Sequence, residues 1–328
     1  MAVLATAGTA FAQSTVTLSG LYSVGYQRDL TNTVGNPSYA GTDVTSAAAG
    51  TTGSNAAAAV RGIGKGLTVM DANFKLAATE DLGGGLKASF DTTFETGQFR
   101  GVLVNRADSG IGLSGGFGAV AFRNTRTSDL LASIGSAAIS LPDGLYDTSS
   151  ILARANADTI GYTSNEIMPG LRASLTHVER GVDGGASPAL ATTYSIVGLS
   201  YTQGPLALTV AQKSKISNTT GSKANFELAA SYDLGVAKVA VAFDGAESST
   251  VTGSLDQSAT GVSVTVPLGA ITLGANYFKR GVHTQTDVGV NYALSKRTTF
   301  GASAGKQTAD QTSAITGNQY RIRLAHSF

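Results

Sequence analysis

The chain has no cysteine and no tryptophan, only six prolines, and few charged residues, 14% against the roughly 25% usual in soluble domains. Without cysteine it forms neither disulfides nor thiolate metal sites, although that alone fixes no compartment. Without tryptophan, any aromatic belt at a membrane surface must be made of tyrosine and phenylalanine. No apolar run approaches the roughly 20 residues of a transmembrane helix. The formal net charge is +1, so no global field points to nucleic acid. The histidines, His177, His283 and His326, are scattered, and none stands with a carboxylate at metal-ligand spacing.

Alternation is what the chain has in abundance. From Thr15 onward nearly everything falls into segments in which apolar and polar positions take turns, the period of a β-strand with two different faces. In "LKASFDTTFE", Leu86, Ala88, Phe90, Thr92 and Phe94 share one face, and Lys87, Ser89, Asp91, Thr93 and Glu95 share the other. Val288, Val290, Tyr292 and Leu294 oppose Asp287, Gly289, Asn291 and Ala293 in the same way. In "YRIRLAHSF", Tyr320, Ile322, Leu324 and Phe328 oppose Arg321, Arg323 and Ser327. Helical periodicity is absent, and the stretch 47–59, rich in Ala, Gly, Ser and Thr, reads as a loop.

The connections are unequal. Tight ones fall at 81–85, 114–118, 168–170, 203–205, 233–237, 267–270 and 294–298. Long ones fall at 29–66, about 98–105, 125–153, 181–191, 217–223, 249–258 and 309–316. Short and long take turns, which predicts an all-β chain closed into an antiparallel transmembrane β-barrel of about sixteen strands. Its short turns would be periplasmic and its long loops extracellular. The polar faces carry Ser, Thr, Gly, Lys, Arg, Asp and Glu throughout, as a watery lumen requires. A soluble sandwich would instead need a filled core. Closure requires the last strand to pair with the first, since an open sheet leaves edges.

At the other end, "MAVLATAGTAFAQ" is small and apolar, and "AFA" before Gln13 has the form of a signal-peptidase site, though a basic n-region is missing. Residues 1–12 are therefore read as a signal-peptide remnant, and 13–328 as one barrel domain. Parity places Lys75, Arg106, Arg123, Arg172, Arg321 and Arg323 in the lumen, facing Asp71, Asp91, Glu95, Asp108 and Glu227. Charges of both signs across a narrow channel create a transverse field that sorts ions. The opposite placement is costly, because an arginine at the lipid midplane costs about 2–4 kcal/mol. Tyr22, Tyr26, Tyr162, Tyr232, Tyr277 and Tyr292 are the candidates for the interfacial girdles.

Three motifs imitate enzyme sites. "GIGLSG" (110–115) fits a dinucleotide fingerprint, "GLSGG" (112–116) a nucleophile elbow at Ser114, and "GASAGKQT" (301–308) falls one residue short of a P-loop. None opens a helix, so all three read as by-products of a glycine- and serine-rich composition. The sequence thus predicts no enzyme, no cofactor and no metal site.

Several stretches resemble the trimeric general porins of Gram-negative outer membranes, in their β-proteobacterial branch. They are "TEDLGGGLKASF" (79–90), "GLSGGFGAVAF" (112–122), "SYDLGVAKV" (231–239), "YALSKRT" (292–298) and the closing "LAHSF". The opening "STVTLSGLYSVG" resembles the family's first strand. The resemblance implies sixteen strands, a homotrimer and a passive channel for ions and small hydrophilic solutes. It also implies contact with outer-membrane lipid and lipopolysaccharide, and recognition by the barrel-assembly machinery through the terminal strand and Phe328. The third loop would fold into the pore, and its match is 125–153, with Asp129, Asp143 and Asp147.

The chain departs from the family pattern at the constriction. Asn73 stands where members usually carry an arginine, with Lys75 close by; the arginine expected at Asn124 is at Arg123; and Arg106 sits one residue off its place. The predicted pore is mildly anion-preferring, with the preference set near Lys75, Arg106, Arg123 and Arg172 against Asp71, Asp108 and the loop aspartates. A substrate-specific channel is the alternative, and a barrel enzyme or adhesin is a more distant one.

Overall fold

Two-residue alternation gives each strand one face for water and one for lipid, and only a closed sheet hides both edges. The computed structural model describes residues 14–32, 66–95, 105–128, 130–136, 138–139, 154–180, 192–246, 257–281, 283–308 and 316–328. Its strands are β1 (Ser14–Asn32), β2 (Gly66–Gly83), β3 (Leu86–Glu95), β4 (Asn105–Gly115), β5 (Gly118–Ser128), β6 (Arg154–Thr163), β7 (Leu171–Arg180) and β8 (Thr192–Gln203). They continue as β9 (Leu206–Lys213), β10 (Asn225–Asp233), β11 (Lys238–Asp244), β12 (Ala259–Leu268), β13 (Ile271–Arg280), β14 (His283–Ala293), β15 (Thr298–Thr308) and β16 (Thr316–Ser327).

Each strand pairs antiparallel with the next, and β1 closes the ring on β16, from Leu21 opposite Ser327 to Asn32 opposite Thr316. The parity holds. Tyr320, Ile322 and Leu324 are exposed on the outside, while Gln319 and Arg321 are buried on the inner face. All six tyrosines proposed for the girdles are exposed on the outer surface. Tyr162, Tyr232 and Tyr292 lie near the short turns, and Tyr26 and Tyr277 lie further up the wall.

Two expectations change. The connection between β13 and β14 lies at the long-loop end, yet only residues 281–282 separate the strands. Gly281, with φ +57°, supplies the left-handed conformation that so tight a turn needs. Residues 125–128, assigned to the third loop, belong to β5, which runs through Ser128. The remnant 1–12 and the loop residues Asp129, Asp143 and Asp147 lie outside the described residues.

The inner face is not polar throughout. After β5 the chain forms a short 3₁₀ turn, Leu130–Ile134, whose buried Leu131 and Ile134 pack against Ala229, Ala240, Ala242, Ala259 and Phe278. These belong to β10–β13, on the far side of the barrel. In the ring, β12 stands eight places from β4, so the segment after β5 reaches the opposite wall. Alanine suits this seat because its small apolar side chain leaves room for the two larger ones.

Glycines deepen the seat. A Cβ on Gly261 would meet Phe278 and Ile134, one on Gly274 would meet Ser136, and one on Gly289 would meet the Ala138 carbonyl. Polar bonds fix the register. Leu130 N donates to Glu227 Oε2 at 3.3 Å, Ser136 N to Asn276 Oδ1 at 3.0 Å, and Ser136 Oγ lies 2.6 Å from Thr265 Oγ1. Ser263 Oγ donates to the Ile134 carbonyl.

Candidate functional site: a charged wall facing a seated loop

Opposite the seated segment, the wall from β16 through β5 carries basic and acidic side chains at inward positions. Asp91 on β3 is their hub. Arg123 on β5 grips it with two parallel bonds, Nη1 to Oδ1 at 2.9 Å and Nη2 to Oδ2 at 2.8 Å, and Lys75 Nζ lies 3.1 Å from Oδ2. The fork of a guanidinium matches a carboxylate in this way, whereas an ammonium acts as a point charge.

The pairing spans a whole strand. Asp91, Gly110 and Arg123 stand in one row across β3, β4 and β5. Two strand spacings come to roughly 10 Å, within reach of an extended arginine lying over an intervening glycine. Asp108, also inward on β4, is near enough to act electrostatically on Arg123.

A second ion pair also crosses a strand. Arg323 on β16, opposite Gly25 on β1, bonds Asp71 on β2, the partner of Ser23, with Nη1 3.0 Å from Oδ2. Ser23 Oγ also donates to Asp71. A register shift at Ser23/Val24 makes Met70 an extra residue in β2, and it turns inward with Asp71. There it packs beneath Arg321, whose Nε is 2.7 Å from the Met70 sulfur. The bulge thus sets two successive side chains on one face.

Other predicted residues fall elsewhere. Arg172 points inward but stands beside the short turn after β6, bonded to Glu166 at 3.2 Å, and not at the level of the loop. Asn124, where the resemblance leads one to expect an arginine, bonds Asp158 at 2.7 Å. Arg106 pairs with Phe94 along the β3–β4 ladder beyond a register shift, and its side chain lies outside the described residues. His177 lies 3.5 Å from Glu179 and 3.1 Å from Ser195 Oγ. No cluster able to hold a metal ion exists among the described residues.

The sequence reading missed a buried polar group above the loop seat. Arg280 and Asp244 are fully buried and ion-paired; Asn225 Nδ2 donates to Asp244 at 2.7 Å, and Arg280 donates to the Gln257 carbonyl at 3.2 Å. It also missed Tyr194, whose ring lies between Arg180 and Lys213, with the guanidinium carbon at 5.0 Å and the ammonium nitrogen at 4.6 Å. The signal was available. In "KVAVAFD" both parities are apolar between Lys238 and Asp244, and in "YFKR" the inward positions are Phe278 and Arg280.

The family model described as Gram-negative porin matches residues 1–312. Among solved structures, a variant of the Rh. blastica porin is similar at 13% identity and TM-score 0.66, covering 96% of this chain and 100% of that one. An anion-selective porin from Comamonas acidovorans is similar at 20% identity and TM-score 0.64, with 96% and 100% covered. A loop-deletion mutant of OmpT, an outer membrane protein of Vibrio cholerae, is similar at 13% identity and TM-score 0.63, with 96% and 99% covered. No curated protein matches.

Proposed function

The chain belongs to the Gram-negative porin family, and on that premise we propose that its passive channel is mildly anion-preferring, with the preference set between the Asp91 wall and the seated loop. As a porin it sits in the outer membrane and passes ions and small hydrophilic solutes. One observation carries the finer reading. Lys75, Arg123, Arg321 and Arg323 line the β16–β5 wall, directly across the barrel from the turn Leu130–Ile134. Global charge is nearly zero, so local placement has to supply any selectivity, within the roughly 8–10 Å over which exposed charges act at physiological salt. The Comamonas likeness, at 20% identity, carries the fold alone and adds nothing to the sign.

The working form is a homotrimer in this reading, with the small outer residues Ala302 and Ala304 suited to close packing. Residues 1–12 are its removed signal segment. The terminal strand with Phe328 is the part presented to the barrel-assembly machinery, and lipopolysaccharide surrounds the long-loop end. No catalytic role is assigned: "GIGLSG" lies on β4 and "GASAGKQT" on β15, with no helix following either. A substrate-specific channel remains the second function class. The deciding experiment is single-channel recording of the purified trimer in a salt gradient. A zero-current potential of anion sign supports the reading; cation sign sinks it. Native mass spectrometry tests the trimer, and the mass of the outer-membrane form tests the start near Gln13.

A further inference from the structure

We propose that Asp91, acting across Gly110, is the positioning residue of the pore. It holds Arg123 and Lys75 flat against the wall and so sets how far their charge reaches into the lumen. The inference rests on the selectivity reading above for the importance of these cations, but its own claim concerns where they are held.

Three observations carry it. The first is valence. One carboxylate receives both guanidinium nitrogens of Arg123 and the ammonium of Lys75, at 2.8–3.1 Å. Two cations are therefore anchored by a single anion, with Asp108 nearby acting on Arg123 as a second negative charge. The second is clearance. A Cβ built on Gly110 would lie 3.0 Å from Arg123 Cγ and Nη1 and 3.1 Å from Cζ, so the arginine lies directly on the bare glycine backbone. Any branched side chain there would occupy the path of the guanidinium. The third is that a strand-crossing ion pair recurs in another register. Arg323 on β16 reaches over β1 to Asp71 on β2, but there Asp71 pairs with Ser23 while Gly25 stands opposite Arg323. Only Arg123 lies over the bare glycine of the strand it crosses.

A cation held flat on the wall and one extended into the lumen have the same charge but different distances to a passing ion. Removing one elementary charge, or moving one by several ångströms, at about 8 Å from the ion path changes the permeability ratio about twofold after screening. Charge-conserving substitutions therefore separate position from charge. Gly110→Val pushes Arg123 off the wall, and Arg123→Lys removes the two-pronged grip. Asp91→Asn releases both cations and also removes a negative charge.

The test is zero-current potential and single-channel conductance for the full-length protein carrying each substitution. Gly110→Val and Arg123→Lys are expected to shift the potential toward anions and lower conductance although formal charge is unchanged. Asp91→Asn is expected to shift it further. Adding Arg123→Lys to Asp91→Asn should add little, because no clasp remains to be lost. Gly161→Ala is the control: its Cβ would meet only Thr176 Oγ1 at 3.5 Å and the Leu175 carbonyl at 4.0 Å.

If Gly110→Val fails to assemble, judged by heat-modifiable gel migration, the Arg123→Lys series decides alone. Wild-type potentials for the charge-conserving variants beside a shifted Asp91→Asn overturn the proposal, as does an equal shift in Gly161→Ala. The sign of the wild-type potential tests only the selectivity reading. The change between wild type and variant tests only the clasp.

Discussion

Gly20 and Phe328 exchange both of their backbone hydrogen bonds, N to O in each direction at 3.1 Å, and the Phe328 ring lies where a Cβ on Gly20 would stand. The pair joins β1 to the end of the chain on the lipid side of the seam. Ser327 N also donates to the Arg297 carbonyl at 2.9 Å, so the last residues are tied to both neighbouring strands.

Gly20→Leu is expected to remove this seat without touching the strand pairing below it. The barrel should still form, but with a smaller folded fraction on refolding from urea into detergent, read by heat-modifiable migration. Phe328→Ala should show a similar deficit, and the double variant should be little worse than either single one. Additive losses would mean that the two residues act separately.

Arg123→Ala should move the zero-current potential toward cations by about twofold in permeability ratio. Removing the guanidinium leaves Asp91 facing Lys75 alone. Lys296→Ala, which removes a cation from the short turn between β14 and β15, should leave the potential near wild type. Equal shifts in the two variants would show that selectivity is not set at this wall.

Leu131→Ala tests the loop seat. Leu131 is fully buried among the inner-wall alanines and Phe278, so truncation should weaken docking by about 2–5 kcal/mol. The expected readout is increased open-channel noise and a higher mean conductance as the segment leaves the wall. Gly274→Val, which intrudes on Ser136 and Ala138, should act in the same direction. Quiet wild-type traces from both variants would show that the segment is held by something other than this seat.

The Arg280–Asp244 pair predicts an asymmetry. Arg280→Leu leaves Asp244 buried without its cation and should destabilise the barrel by about 3–5 kcal/mol. Joint replacement by Arg280→Met and Asp244→Leu should recover most of that loss, because the desolvation cost of both charges disappears. Urea midpoints in detergent check it; a double variant less stable than Arg280→Leu would contradict the account.

Alternation in the chain was sufficient for the barrel, its approximate strand number and the side each residue faces, because a strand's facing repeats every two residues and lipid and water demand opposite chemistry. Lys75, Asp91, Arg123, Arg321 and Arg323 were placed on the inner wall by that parity. Parity does not encode height, so Arg172 was set at the loop's level when it lies beside a short turn. Nor does it encode contacts between strands. Asp91, Gly110 and Arg123 belong to three segments, and their common row depends on the register of two separate pairings. The apolar seat for Leu131 lies on strands five to eight places along the ring from β5. Its alanines broke the rule of a polar lumen because the segment that covers them comes from far along the chain, and only closure of the barrel brings the two together.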